Sequence, residues 1–163
     1  DYGGVQSRKR YYLVASVAPN FKAPKMSPRN EQLIWNRIEP LLSSCRDITD
    51  TSFIKKRATS SRAAPSITPD STQCQTIIKS NSRGIKDGAY LEIGGRMLMP
   101  TDAVIKQLMS IPDDFKTDWM AGEQAIEVLG QSIDYAMHET LMSSVKAHIN
   151  LSFGQSTVVN FNK

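Results

Sequence analysis

Gln6, Arg8 and Arg10 stand at alternate positions directly before the apolar run Tyr11-Tyr12-Leu13-Val14-Ala15. In extended backbone, residues two apart project to the same side. Two guanidinium forks on one side can hold a phosphate or the acceptor edge of a base. The bland alternative is a pair of surface ions at a strand end. A second set of cations, Lys55, Lys56, Arg57, Arg62, Lys79 and Arg83, can contact phosphates or base edges, and each also reads as a solvated charge. Cys45 and Cys74 lack a neighbouring base or cation that would activate a thiol, so they read as structural or incidental. His138 and His148 fall in the last helical stretch and read as surface or packing residues.

Elements must place these groups. Tyr11 to Val17 is β-branched and aromatic and ends at Pro19-Asn20, which predicts a buried strand. Residues 19–28 hold three prolines and form a loop. Ser27-Pro28 predicts the start of a helix reaching Ile38, with Leu33, Ile34 and Ile38 on one face, until Pro40 interrupts it. Residues 43–75 are polar and aperiodic, and long loops are expected there. Gln75 to Lys79 and Ala89 to Ile93 predict short strands around a polar loop, Ser80-Asn81-Ser82-Arg83-Gly84. Thr101 is placed to cap a helix reaching Ile111, which Pro112 stops. A further helix spans Ala121 to Leu129, Gly130 breaks it, and a last one runs from about Ser132 to Ile149. Its Ile133, Met137, Leu141 and Val145 make an i, i+4 stripe that reads as core.

The chain has 163 residues, 40% of them hydrophobic, enough for one ordinary domain or two small lobes. The net charge of +4 mildly favours a polyanionic partner, and Lys and Arg crowd into residues 1–62. Two cysteines without a Cys-x-x-Cys pair give no zinc spacing and no metal site, and suit a reducing, intracellular setting. No stretch is long and apolar enough to span a membrane. The start at Asp1, inside a motif-like run, reads as a fragment or a processed piece.

Three patches in order resemble DNA (cytosine-5) methyltransferases. The first is Asp1-Tyr2-Gly3 with Gln6-Ser7-Arg8-Lys9-Arg10 before a strand. The second is Arg96-Met97-Leu98-Met99-Pro100-Thr101-Asp102 with Ile111-Pro112-Asp113-Asp114-Phe115. The third is Leu129-Gly130-Gln131-Ser132-Ile133, similar to the family's Gly-Asn-Ser-Val. Gln75-Thr76-Ile77 and Gly88-Ala89-Tyr90-Leu91 resemble the family's Thr-Leu pair and the strand after its recognition loop; Ser66-Ile67-Thr68 is a competing candidate for the pair. Departures are Met99 for Thr, Asp102 for Glu, Gln131 for Asn and Val5 for Pro.

The resemblance implies an α/β fold: a fragment of a Rossmann-like methyltransferase with a small mixed α+β recognition lobe. It places a catalytic-lobe strand at 1–18, the target recognition domain at 19–95, returning helices at 96–149 and a tail at 150–163. It makes Arg10, Arg8 and Gln6 assistants at a flipped cytosine, Arg10 reaching the base carbonyl. It puts Gly130, Gln131, Ser132 and Ile133 at the methionine end of S-adenosylmethionine, at a helix N-terminus that favours a carboxylate. Thr76 and Ile77 would lie beside the target base, and Ser80, Asn81, Ser82, Arg83 and Gly84 would face the major groove of duplex DNA. The family's Pro-Cys nucleophile, Glu-Asn-Val motif and Phe-x-Gly-x-Gly cofactor loop have no counterpart in the sequence. The partner implied is therefore an N-terminal catalytic portion or subunit; the chain alone would transfer no methyl group. A non-catalytic DNA-binding or regulatory module on the same scaffold is the alternative, and a basic structural domain with chance matches is a third.

Overall fold

A computed structural model describes residues 4–7, 10–26 and 31–154. The fold is mixed α/β, with two small sheets and five helices among the described residues. Strand β1 (Gln6–Ser7) pairs in parallel with β3 (Cys74–Gln75), Gln6 opposite Cys74. Strands β2 (Arg46–Asp47), β5 (Arg96–Met99) and β4 (Leu91–Ile93) form an antiparallel sheet in that order. The β4–β5 hairpin turns through Gly94 and Gly95, whose φ angles of 55° and 75° are the left-handed pair a tight two-residue turn demands. Arg96 then anchors the sheet edge by donating to Asp47 at 2.8 Å.

The helix expected over 28–38 is shorter than its pattern. Residues 27–30, including the Ser27-Pro28 cap, lie outside the described residues. Helix α1 covers only Trp35–Ile38 and passes directly into a 3-10 helix, Glu39–Ser44. Pro40 begins that 3-10 turn and does not stop the chain, because the N–H it lacks would be unpaired at a helix start anyway. Residues 43–75 are more regular than their polarity suggests. They hold β2 and α2 (Ser52–Ala58), capped by the Thr51 hydroxyl, which accepts from the Ile54 N–H.

Helix α3 (Asp102–Leu108) ends before Pro112 is reached, since Ser110 turns left-handed at φ 55°. Thr101 precedes it with extended backbone but does not cap it with its side chain; its hydroxyl lies 3.3 Å from that of Ser44. Helix α4 (Gly122–Gln131) runs straight through Gly130, which therefore does not break it. Helix α5 (Tyr135–Phe153) starts at Asp134, whose carboxylate accepts from the Met137 N–H at 3.4 Å.

One main core joins these elements. Val5, Ile34, Trp35, Ile38, Ile67, Ile77, Leu91, Leu98, Ile105, Leu108 and Leu129 all belong to it. Each such aliphatic side chain contributes about 1.5–3 kcal/mol relative to exposure. Helix α5 contributes no side chain to that core. Its expected stripe of Ile133, Met137, Leu141 and Val145 is only half-buried.

The largest departure concerns residues 11–17. The buried strand expected there has no ladder partner among the described residues. Tyr11 is 100% exposed, Leu13 95% and Val17 96%. The sequence has strand chemistry, but an edge must be paired before a strand is buried. No described helix is long and apolar enough to cross a membrane.

Candidate nucleic-acid interface and the turn behind it

Gln6 sits at the centre of a buried polar node. Its amide nitrogen donates to Asp134 at 3.3 Å, and its carbonyl accepts from the Ile77 N–H at 3.3 Å. Gly4 passes so close to Asp134 that an added Cβ would lie 2.9 Å from the carboxylate. Burial pushes the Asp134 pKa up, while the Gln6 bond and the α5 backbone pull it down. Gln6 is thus occupied in joining β1, the segment after β3 and the start of α5. A side chain held by two such bonds is a positioning group and does not face open space. Arg8 lies outside the described residues. Arg10 is exposed and lines a cleft of about 460 Å³ with Tyr12, Phe21, Met137 and Leu141.

Thr76 donates to the Ser7 carbonyl at 2.6 Å, extending the β1–β3 pairing by one rung, and Ile77 is fully buried. Of the expected pair, Thr76 alone is partly exposed. In the competing triplet Ile67 is buried and bridges in parallel to Leu91.

The loop from Ser80 to Gly84 is fastened from within. Asn81 is fully buried; its side chain accepts from the Ala89 N–H at 2.7 Å and donates to the Ala89 carbonyl at 3.2 Å. The Tyr90 hydroxyl donates toward the Asn81 and Gly84 carbonyls, at 2.9 and 3.0 Å. Burial raises the Tyr90 pKa to about 12, so it remains a donor. Asn81 is accordingly a staple of the loop and is not available to a groove. Ser82 is half-buried, and exposed Arg83 faces Glu127 at 3.8 Å.

Arg57 is the clearest correction among the cations. It is buried, donates to the carbonyls of Ile85 at 2.7 Å and Lys86 at 3.2 Å, and also bonds that of Ala64. Its guanidinium lies 4.8 Å from the Tyr90 ring centre. Five donors in a rigid fork suit this carbonyl-binding task, which Lys cannot copy. Lys55, Lys56, Arg62 and Lys79 are exposed.

The turn expected to meet the cofactor has a different geometry. Gly130 and Gln131 close the C-terminal end of α4, and Ser132 follows with its hydroxyl bonded to the Leu129 carbonyl at 2.6 Å. They are not at a helix N-terminus. That position belongs to α5, where the Asp134 carboxylate already caps it. A Cβ on Gly130 would lie 2.4 Å from the Ile78 backbone, so glycine is required for two backbones to touch. Ile133 is half-buried, and of the four residues Gln131 alone is exposed. Gly130 welds α4 to the segment after β3 that carries Thr76 and Ile78.

Sequence reasoning missed the node of Gln6, Asp134 and Ile77, because the partners lie far apart in the chain. It also missed the carbonyl trap around Arg57. No three described His, Cys, Asp or Glu residues gather as a metal would require.

No family model and no curated protein sequence matches the chain. Solved structures do. Entamoeba histolytica methyltransferase EhMeth superposes with a TM-score of 0.70 at 19% identity, over 91% of this chain and 51% of its own. Schizosaccharomyces pombe Dnmt2 methyltransferase gives 0.54 at 14% identity, over 66% of this chain and 37% of its own. The fold is thus that of part of a methyltransferase. The chain spans about half the length of EhMeth.

Proposed function

We propose that this chain is the target-recognising portion of a DNA (cytosine-5) methyltransferase, active only when joined to a catalytic portion. The observation that carries the reading is residues 11–17. They have the composition of a strand, bare apolar side chains and no backbone ladder with any described residue, in a fold of which about half is unmatched here. A sheet belonging to the catalytic portion would pair this segment and cover Tyr11, Leu13 and Val17. The exposed helix α5 residues Met142, Leu151 and Phe153 extend the same requirement.

In the assembled enzyme a thiolate of the other portion would add to carbon 6 of cytosine, carbon 5 would be methylated with S-adenosylmethionine as the methyl source, and loss of the carbon 5 proton with departure of the thiolate would restore the ring. The cofactor is assigned to that portion, because residues 130–131 lie at the C-terminal end of α4 and not at a helix N-terminus. This chain supplies phosphate and base contacts that offset extrusion of the base, a cost of about a few kcal/mol. Arg10, where the chain leaves the platform, is assigned to the base carbonyl oxygen.

The test mixes the chain with an N-terminal portion carrying Phe-x-Gly-x-Gly and Pro-Cys, labelled S-adenosylmethionine and duplex DNA. Methyl transfer that needs both portions, and that Arg10→Ala abolishes while DNA binding persists, is the expected result. DNA binding with no transfer by any such pair would leave the non-catalytic module as the answer.

A further inference from the structure

Trp119 is 75% exposed, yet it is fixed in place. The turn that carries it closes through the Met120 N–H, which donates to the Thr117 carbonyl at 3.0 Å. The indole Nε1 donates to the Lys116 carbonyl at 3.2 Å. Thr117 is buried, and its hydroxyl donates to the Asp102 carboxylate at the start of α3. An aromatic ring held by its polar edge offers its faces to a partner. Beside it opens a pocket of about 340 Å³, lined by Trp119, Met120, Gln124, Glu127, Val128 and Gln131. The last four recur at helical spacing and form one outer stripe of α4. Val128 is exposed on that stripe and belongs to neither core cluster.

Charge decides the occupant. Glu127 puts a carboxylate in the pocket wall. Its salt bridge to Arg83 is loose, at 3.8 Å between exposed side chains, and such a pair contributes little. Glu123 lies one turn before it on the same helix face, and Asp118 shares the tight turn with Trp119; both are exposed. Residues 113–127 carry five carboxylates against one lysine, in a chain whose net charge is +4. A phosphate-bearing partner is repelled there. A guanidinium is drawn in: it stacks flat on an indole, bonds a carboxylate through two N–H groups and lays its methylene stem on apolar neighbours such as Met120 and Val128. We infer that this pocket docks an arginine side chain of a basic polypeptide segment, with Trp119 as the stacking platform and Glu127 as the carboxylate. Gln124 and Gln131 stand at the two ends of the stripe, where their amides can meet the backbone of that segment. The surface is separate from the DNA-binding reading, and no duplex enters its test.

The experiment titrates the full chain with a peptide of alternating arginine and glycine, and with its lysine–glycine and glutamate–glycine counterparts, by calorimetry and NMR. Saturable binding of the arginine peptide, weakened by salt and tighter than that of the lysine peptide, is expected. The indole resonance of Trp119 should move, while that of Trp35, inside the core, stays. Trp119→Ala should weaken binding by about 2- to 30-fold, the worth of one cation–π contact. Trp119→Phe, which keeps a ring, should recover part of that loss. Glu127→Gln should weaken binding by up to about 5-fold. Neither side chain is buried, so each variant should keep the wild-type Tm. No saturable binding of the arginine peptide, or equal binding by wild type and folded Trp119→Ala, overturns the inference. Equal binding of the glutamate peptide does the same. Self-association of the chain that Trp119→Ala abolishes would give the pocket to a second copy and overturn it likewise.

Discussion

Two regions of this molecule obey opposite rules. In the body, β1 together with α1 to the end of α4, the core apolar side chains are buried, with Trp119 standing out at 75% exposure. Arg57, Asn81 and Gln6 each sit inside with named partners. On the face formed by residues 10–24 and α5, apolar side chains stand in the open and the backbone of 11–17 makes no ladder with any described residue. Thin ties hold that face down: the Ser16 hydroxyl lies 2.9 Å from His148 Nε2, and Phe21 meets the same imidazole edge-on. The difference separates a packed body from an open face, the contrast that the proposed reading requires of a surface awaiting a partner. A uniform protein would not concentrate its unmet strand chemistry at one place.

Mutations sharpen this contrast, because the body should respond in stability and the face in association. The largest effect is expected from Gly130→Ala. The new methyl meets the Ile78 backbone, and neither backbone can yield cheaply. About 2 kcal/mol should be lost, a fall in Tm of roughly 4–8 °C, readable by calorimetry. A Tm unchanged by this substitution would mean that α4 and the Thr76 segment are not welded.

Arg57→Met comes next. It strands the carbonyls of Ala64 and Ile85, while that of Lys86 keeps its bond from the Ala64 N–H, and should cost about 1–3 kcal/mol in urea unfolding. Lys55→Ala and Lys56→Ala on the same helix should stay within about 0.5 kcal/mol. Equal responses from all three would erase the distinction between clamped and free cations on α2.

The double change Leu13→Asn with Val17→Asn should leave unfolding within about 0.5 kcal/mol of wild type, since neither side chain is covered. Its effect should appear as lost association with the catalytic portion and less self-aggregation, seen by light scattering. Marked destabilisation of the isolated chain would count against an open face.

The smallest effect belongs to acid. Thr49 donates twice to Asp47, and Arg96 once, lowering the Asp47 pKa to about 2 from an ordinary 3.8. A depressed carboxylate stabilises the fold above the unfolded value and loses that contribution as pH falls through the folded one. The loss should therefore run from about pH 4 down to pH 2. Asp47→Asn should flatten that limb of a Tm–pH curve and leave the rest unaltered.

What was legible in the sequence followed local rules. The β4 strand near Ala89 to Ile93, the helices after Thr101 and Ala121, and the long last helix are marked by periodicity and caps. The element at 52–58 was hidden, because its helix turns a charged surface outward and buries an arginine where an apolar residue would signal core. The buried strand expected over residues 11–17 is absent from the described fold: β-branched and aromatic side chains give the composition of a strand, but pairing needs a neighbour that composition cannot supply. The helix break expected at Gly130 is absent for a related reason. Gly130 has the type expected of a helix break, yet its lack of a side chain serves contact with Ile78, a neighbour distant in sequence.

The most direct test of the finished body and open face is native-state hydrogen exchange on the isolated chain. The account predicts slow exchange in α3 and β5, and exchange near unprotected rates for the amides of residues 11–17. Protection of 11–17 in the isolated chain, at the level of the β4–β5 hairpin, would show the strand already paired and would contradict it.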